Sequence, residues 1–199
     1  MNSELISHNV YKQGYHIIDN FLDVQHYQSL RANAQKMHQN GLFKNARIGQ
    51  KINTKLNSAI RTDAIIWLNE QEADPAIQAY VQKAQAIAQI LNQALYLGLF
   101  HFETHFAVYD PGSFYKLHVD QFATNKDRKI SCVYYLNNEW HPEFGGELKL
   151  YSAEEQLITT VSPHGNRFIC FNSELPHEVN VTNQTRYSLT GWMKTRNSI

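Results

Sequence analysis

Apolar residues recur at helical spacing in two segments of the N-terminal half of the chain. The first segment covers residues 24–37 and follows Asp23, a residue type suited to cap a helix N-terminus. The second covers residues 75–95, with Asp74 at the capping position and a proline at the first helical position. Both patterns are typical of helices that bury one apolar face, so the sequence predicts two supporting helices.

Shorter apolar runs indicate strands in the rest of the chain. Residues 15–22 predict a strand that leads into the first helix, residues 60–68 predict another strand, and the polar residues 42–59 predict a long loop. After Gly98, eight β-rich runs follow with turn residues between them: 101–109, 113–119, 129–136, 147–151, 156–161, 166–171, 178–181 and 186–194. Many short strands at close spacing are typical of a β-sandwich or a jelly roll.

The length of the chain suits one buried core. It has 199 residues, of which 43% are apolar, and it shows neither repeats nor a linker. We therefore expect a single domain over residues 1–199 that is mainly β with supporting helices. In this interpretation residues 1–98 supply helical and strand support, and residues 99–196 form the jelly-roll core.

Charge and cysteine content narrow the class of protein. Lys and Arg together number 18, as do Asp and Glu, and this balance argues against a general binder of nucleic acid or of a membrane surface. We see no apolar leader at the N-terminus and no apolar run near the roughly 20 residues needed to cross a bilayer. Cys132 and Cys170 lie in apolar runs and are expected to be buried thiols. These features favour a cytoplasmic protein.

One histidine–carboxylate pair has the spacing of a metal site. His118 and Asp120 lie near the end of a predicted strand, where residues i and i+2 share a face, and His177 could join them from a later strand. Two imidazoles and one carboxylate leave three octahedral positions open, which is the arrangement of non-haem Fe(II) oxygenases. The pair alone is weak support, because His101, Glu103 and His105 also alternate on one strand.

An arginine favours the first cluster over the second. Arg186 follows His177 by nine residues in an apolar strand, whereas the first arginine after His105 is Arg128, in a polar turn. A 2-oxo diacid needs a cation for its distal carboxylate, and arginine offers a planar fork that is always charged. Tyr135 could add a phenol hydrogen bond to the same carboxylate. The sequence thus predicts a site for Fe(II) and 2-oxoglutarate.

Several strings in the sequence resemble one enzyme family. FAVYDPGSFYKLHVD, CVYYLN, GGELKLY, PHEV and TRYSLTGW resemble the prolyl 4-hydroxylase branch of the 2-oxoglutarate oxygenases, especially the oxygen-sensing prolyl hydroxylases and their bacterial relatives. KQGYHIIDNFL and IRTDAIIW extend the likeness toward the N-terminus, so it covers residues 10 to 195. The resemblance implies a double-stranded β-helix, the jelly roll of cupin-like proteins, packed on N-terminal helices.

The resemblance also implies a role for individual residues. The residues matching the family's iron ligands are His118, Asp120 and His177. Those matching its 2-oxoglutarate contacts are Arg186, Tyr135, Tyr109 and Thr190. Positions near its peptide groove are matched by Arg61, Asp63, Arg128 and Trp192. Residues 44–60 match a mobile loop that closes over the peptide, although their sequence is only weakly similar. Arg186 stands one residue before the position where collagen-type enzymes have a lysine, and this departure favours the oxygen-sensor-like branch.

The implied reaction is 4-hydroxylation of a proline in a protein substrate. It uses Fe(II), 2-oxoglutarate and dioxygen, with ascorbate as a further reductant, and elongation factor Tu is a substrate hypothesis that rests on the family alone. Two alternatives stay open at this point. The chain could be an oxygenase of a free amino acid or another small molecule, or a jelly roll that binds a metal without catalysis.

Overall fold

Three helices lie in the N-terminal half of the protein. The computed structural model describes residues 2–47, 57–69, 73–121 and 125–196. Its helices are α1 (Ser3–Gln13), α2 (Val24–Gln39) and α3 (Pro75–Leu95). The two predicted helices are confirmed together with their caps. The Asp23 carboxylate accepts a hydrogen bond from the third residue of α2 at 3.0 Å, and the Asp74 carboxylate accepts one from Ala76 N at 2.8 Å.

Helix α1 was not predicted, and its signals are visible only locally. The side chain of Asn2 accepts a hydrogen bond from Leu5 N at the start of the helix, and Gly14 ends it with a left-handed φ of 82°. Only Ile6 and Val10 are buried, on one narrow stripe of a segment that is otherwise polar. The sequence therefore predicted two helices, whereas the described residues form three.

Eleven strands complete the described fold. They are β1 (Tyr15–Ile18), β2 (Lys44–Asn45), β3 (Ala64–Trp67), β4 (Leu99–Tyr109), β5 (Tyr115–His118), β6 (Arg128–Tyr135), β7 (Leu148–Tyr151), β8 (Leu157–Val161), β9 (Phe168–Asn172), β10 (His177–Val179) and β11 (Arg186–Thr195). All eight runs predicted after Gly98 contain a strand. The strand predicted over residues 60–68 is shorter than expected, because the chain bridges to Tyr115 at Arg61 before it joins the sheet.

The strands form two antiparallel sheets. The larger has the order β1-β9-β6-β11-β4-β3-β2 and the smaller the order β5-β10-β7-β8. Residues from both sheets share one apolar core, so the sheets face each other as in a jelly roll. The predicted mainly β, jelly-roll fold with supporting helices is confirmed. In the predicted loop 44–60, Lys44 and Asn45 form β2 instead, because they pair with β3, and residues 48–56 lie outside the described residues.

The larger sheet separates two cores. Alternation along β6 sends Cys132 and Tyr134 toward the helices, whereas Val133 and Tyr135 point toward the smaller sheet. Cys132 lies opposite Cys170 in the β6–β9 register, and both are buried free thiols, as predicted. The helices thus cover one face of the larger sheet, and its other face can form part of a site.

None of the described helices is long and apolar enough to cross a membrane.

Candidate metal and cosubstrate site

Three potential metal ligands meet at one end of the smaller sheet. His118 ends β5 and His177 begins β10, and the two residues are directly paired across these antiparallel strands. Asp120 lies two residues beyond His118, just past the strand end. One ligand atom from each side chain lies within 4.8 Å of the others. The i, i+2 spacing and the strand pairing together bring the predicted ligands into one cluster.

Hydrogen bonds orient both imidazoles. His118 Nδ1 lies 2.7 Å from the Lys116 carbonyl oxygen, and His177 Nδ1 lies 2.9 Å from the Leu175 carbonyl oxygen. Because a carbonyl can only accept, each Nδ1 carries a proton, so Nε2 is the atom whose lone pair can bind a metal when the ring is neutral. The two Nε2 atoms lie 3.7 Å and 3.4 Å from the Asp120 carboxylate oxygens. Both lone pairs are thus directed toward the carboxylate, where a cation would sit.

Two serines hold the carboxylate in place. Ser131 Oγ donates to Asp120 Oδ2 at 2.6 Å and lies 2.8 Å from Ser173 Oγ. Asp120 N donates to the Ser173 carbonyl oxygen at 3.2 Å. The contact of Ser131 with Asp120 was not predicted, although a small polar residue between Ile130 and Cys132 is a signal that could have identified it.

The electrostatics of the cluster favour a bound cation. Burial, reinforced by His177, lowers the pKa of His118 to about 3, so this imidazole is neutral. Burial alone would raise the pKa of Asp120, but the charge of His177 outweighs it and the pKa is lowered. Burial alone would lower the pKa of His177, but Asp120 outweighs it and the pKa is raised. An ionised carboxylate beside two imidazoles is a donor set that fits Fe(II).

The rival cluster does not assemble within the described residues. His101 is exposed, and Glu103 is held by Arg128 at 2.8 Å and by Lys194 at 3.2 Å. His105 is buried on the same strand but belongs to no group of three ligating side chains in the described ranges. These three residues therefore do not form a second metal site.

The three potential metal ligands, His118, Asp120 and His177, line a cavity of about 330 Å³. Ten of the eleven residues that the sequence assigned to the site line this cavity: His118, Asp120, His177, Arg186, Tyr109, Thr190, Arg61, Asp63, Arg128 and Trp192. Tyr135 is not among its lining residues. It lies beside Arg186, with the guanidinium carbon 5.0 Å from its ring centroid.

Arg186 is the first residue of β11, and its guanidinium is buried in the interior. It is 2% exposed and packs against Tyr109, its partner in the β11–β4 register, with 4.8 Å between the guanidinium carbon and the ring centroid. Arg186 Nε and the Tyr135 hydroxyl have no hydrogen-bond partner among the described residues. None of the ion pairs within the described ranges involves Arg186. A buried cation in this state is suited to receive an anionic ligand.

A chain of contacts links the metal cluster to the segment before β3. Arg61 makes two hydrogen bonds to the fully buried carboxylate of Asp63, at 2.7 Å and 2.5 Å. Its guanidinium carbon lies 4.2 Å from the Tyr115 ring centroid, and Tyr115 stacks on His118 with 3.6 Å between centroids. Arg61 and Asp63 therefore form a structural pair as well as part of the cavity wall. The sequence did not assign Tyr115 this contact.

A second wall of the cavity carries Arg128 and Trp192. The Arg128 guanidinium lies 3.6 Å from the Trp192 ring centroid, and Glu103 fixes it through two hydrogen bonds at 3.1 Å and 2.8 Å. Thr190 lies on the same strand as Trp192, and its carbonyl oxygen accepts from Thr104 Oγ1 at 3.0 Å. The residues predicted to lie near the peptide groove thus lie in the same cavity as the three potential metal ligands.

A jelly roll with two imidazoles and one carboxylate at the mouth of its sheets is the arrangement of the non-haem Fe(II) oxygenases. A model of the 2OG-Fe(II) oxygenase superfamily matches residues 104–194. A prolyl-4-hydroxylase from Pseudomonas putida has 31% sequence identity and a TM-score of 0.86, covering 98% of this chain and 99% of that one. The chain belongs to the 2OG-Fe(II) oxygenase superfamily, in the group of the prolyl hydroxylases.

Animal proteins are also similar over most of the chain. A prolyl hydroxylase from Trichoplax adhaerens, solved in complex with a hypoxia inducible factor oxygen degradation domain peptide, has 27% identity and a TM-score of 0.86, with coverage of 96% and 88%. Human Egl nine homolog 1 is 27% identical over 190 residues, which are 91% of this chain. The match spans only 44% of that human protein, so this chain is about half its length.

Proposed function

We propose that this protein is a 2-oxoglutarate- and Fe(II)-dependent dioxygenase that 4-hydroxylates a prolyl residue of a polypeptide. One observation carries the proposal: the His118–Asp120–His177 cluster and a buried Arg186 open into the same cavity. A metal site alone would suit many reactions. A metal site that shares a cavity with a buried arginine lacking an anionic partner in the described residues suits a 2-oxo diacid.

Different residues of the site would bind the metal and the cosubstrate. His118, Asp120 and His177 would hold Fe(II), and Arg186 would bind the distal carboxylate of 2-oxoglutarate through its fork of N–H groups. Tyr135, with its hydroxyl beside Arg186, would add a hydrogen bond to that carboxylate. Tyr109 and Thr190 line the same cavity as the arginine and the three potential ligands. When bound, Fe(II) and 2-oxoglutarate together supply the activation of dioxygen that hydroxylation requires.

The apolar residues of the cavity would help to keep water from the reacting atoms. Apolar side chains line it beside the metal ligands, among them Val133, Leu148, Phe171 and Val179. The cavity also carries the side chains assigned to the peptide groove: Arg61, Asp63, Arg128 and Trp192. The similarity to hydroxylases whose names specify prolyl substrates supports a proline-containing polypeptide over a small molecule.

The first test uses the His177→Ala variant. The wild-type protein, given Fe(II), 2-oxoglutarate and a cell-extract proteome, should release succinate and add one oxygen atom to specific prolines, measured by mass spectrometry. His177→Ala should lose both activities because one of three metal ligands is gone. His101→Ala is the matched control: it removes an exposed histidine of the rival cluster and should keep full activity.

The outcomes separate the proposal from its alternatives. Succinate release with an oxygen added only to a free amino acid or another small molecule would indicate a small-molecule oxygenase. Metal binding without any succinate would indicate a jelly roll that lacks catalysis. Equal turnover by His177→Ala and the wild type would contradict the metal assignment.

Three finer predictions belong to the same proposal. We propose elongation factor Tu as the first candidate substrate, ascorbate as a reductant that sustains turnover, and the cytoplasm as the setting. Hydroxyproline mapping of elongation factor Tu, isolated from cells with and without this protein, tests the substrate. Turnover with and without ascorbate tests the reductant, and cell fractionation tests the location.

A further inference from the structure

Two glycines form a turn against the side chain of Arg186. Gly145 and Gly146 precede β7 and have positive φ angles of 63° and 71°. A Cβ at Gly145 would collide with the Val181 carbonyl oxygen, so the turn itself requires this glycine. A Cβ at Gly146 would instead lie 3.2 Å from Arg186 Cδ. The glycine at position 146 thus leaves the space beside which the arginine stem lies.

Thr182 lies on the other side of this space and is held firmly. A Cβ at Gly146 would also lie 3.0 Å from Thr182 Oγ1. Thr182 is fully buried, and its N–H donates to the Ser113 carbonyl oxygen at 3.0 Å. Its hydroxyl donates to the Gln184 carbonyl oxygen at 2.5 Å. Because Gln184 stands two residues before Arg186, Thr182 also fixes the chain where the arginine enters β11.

Aromatic rings confine the guanidinium on further sides. The guanidinium carbon lies 4.8 Å from the ring centroid of Tyr109 and 5.0 Å from that of Tyr135. Gly146 lies against the stem of the same side chain. Close-packed surroundings of this kind leave a side chain little freedom to move. The turn therefore helps to set where the guanidinium lies relative to the three potential metal ligands.

The position of the Arg186 guanidinium decides which length of 2-oxo diacid fits. Such a ligand would chelate the metal at one end and meet the guanidinium at the other. Paired charge-assisted hydrogen bonds need close alignment, and a shift on the order of 0.5 Å disturbs such a site. A methyl group at Gly146 would force a shift of this size, because carbon atoms pack at about 3.5–4.0 Å and only 3.2 Å is available. Since Thr182 is held by its hydrogen bonds, the flexible arginine stem is the part that would move.

We propose that Gly146 and Thr182 are positioning residues that fix the Arg186 guanidinium and thereby select 2-oxoglutarate over its longer homologue 2-oxoadipate. This inference rests on the proposed function, because it assumes that Arg186 binds the distal carboxylate. Neither positioning residue is among the described residues that line the cavity, so both act through the arginine.

The test measures how Gly146→Ala binds ligands that differ at the distal end. The probes are 2-oxoglutarate, 2-oxoadipate and oxalate, which chelates a metal but has no distal chain. Calorimetry on protein loaded with Mn(II) gives each affinity without turnover. Gly146→Ala should bind 2-oxoglutarate about tenfold more weakly, and its preference for 2-oxoglutarate over 2-oxoadipate should fall about fivefold. The affinity for oxalate should stay within about twofold, which a general loss of structure would not allow.

Gly41→Ala is the matched control for backbone strain. Gly41 has a similar φ of 66°, but a Cβ there would meet nothing within 4 Å. This variant should keep all three affinities within about twofold of the wild type.

A second pair of variants decides the question if Gly146→Ala fails to fold. Thr182→Val removes the hydroxyl that donates to the Gln184 carbonyl oxygen and should weaken 2-oxoglutarate binding about fivefold. Thr182→Ser keeps that hydroxyl and should bind 2-oxoglutarate like the wild type.

Each outcome supports or overturns the inference. A wild-type ratio of the two diacid affinities in Gly146→Ala overturns it, as does an equal loss of oxalate binding. Equal 2-oxoglutarate affinity in Thr182→Val and Thr182→Ser also overturns it. If the wild type hydroxylates a prolyl residue while Gly146→Ala keeps its selectivity, the inference fails and the proposed function stands. Selective loss of 2-oxoglutarate by Gly146→Ala, in a protein whose wild type hydroxylates no proline, supports the inference and contradicts the proposed function.

Discussion

At the scale of single residues, the burial of the Arg186 guanidinium needs an energetic explanation. A guanidinium that is 2% exposed has lost most of its hydration, and its Nε lacks a partner among the described residues. Two tyrosine rings flank it, but ring faces offset only part of the desolvation of a cation. The remaining cost would be offset if a dicarboxylate bound through two charge-assisted hydrogen bonds.

Arg186→Ala should therefore weaken 2-oxoglutarate binding by at least about 100-fold, since each charge-assisted hydrogen bond contributes roughly 1.5–3 kcal/mol. Metal affinity should survive, because the three ligands are untouched. Isothermal titration calorimetry on protein loaded with Mn(II) in place of Fe(II) measures both. Arg167→Ala is the control, because Arg167 pairs with Asp19 through a surface ion pair of 2.6 Å. An Arg186→Ala variant that binds 2-oxoglutarate like this control would refute the assignment.

The sequence could predict residues whose relation is local and could not predict relations across strands. His118 and Asp120 share a face because they are two residues apart, and that spacing is visible in the sequence. The stacking of Tyr115 on His118 and the hydrogen bond from Ser131 to Asp120 depend on how separate strands come together. The contact between the rings of His105 and Trp192 was missed for the same reason, since the two residues lie on different strands.

At the scale of elements, α1 shows how a mostly polar segment can still be an integral helix. Ile6 is 1% exposed and belongs to the core between the helices and the larger sheet, whereas Leu5, its neighbour in the chain, is 48% exposed. One buried stripe of two apolar residues is too sparse a pattern to predict a helix. Its asymmetry nevertheless provides a matched pair of variants.

Ile6→Ala should lower the free energy of unfolding by about 2–4 kcal/mol, because it removes buried methyl groups and leaves a cavity. Leu5→Ala should change it by less than about 0.5 kcal/mol, since the side chain is half in solvent. Urea denaturation followed by circular dichroism gives both values. Similar losses for the two variants would show that α1 is packed in a different way from that described.

The cavity wall also shows why strand boundaries were less predictable than strand positions. The alternation of Arg61 and Asp63 fits a strand over residues 60–68, yet the sheet begins only at Ala64. The two side chains bind each other, and Arg61 bridges to β5 of the other sheet instead of continuing β3. Such a crossing between sheets depends on tertiary pairing, which the local pattern does not contain.

The single domain over residues 1–199 stays a prediction.

At the scale of the whole molecule, the two faces of the larger sheet have different surroundings. Helices cover one face with an apolar core, while the other face holds ionisable groups around the cavity. Those groups tie the stability of the metal-free protein to pH. Burial lowers the pKa of His105 to about 3, far below the value of about 6.5 expected in the unfolded chain. The unfolded state therefore binds the proton more readily than the folded state.

A group with a depressed folded pKa of this kind stabilises the fold fully above about pH 6.5 and loses that contribution as the pH falls below it. Between about pH 7 and pH 5 the loss attributable to His105 should be about 2 kcal/mol. His16, whose pKa burial also lowers, acts in the same direction. His177 acts in the opposite direction, because its pKa is raised and the folded state holds its proton more tightly.

The contribution of His105 can be isolated by comparing variants of the metal-free protein. The free energy of unfolding of His105→Phe should fall about 2 kcal/mol less than that of the wild type over this interval. His8→Gln, which changes an exposed histidine of α1, should follow the wild-type curve. Parallel curves for the wild type and His105→Phe would mean that the pKa of the imidazole is the same in the folded and unfolded states.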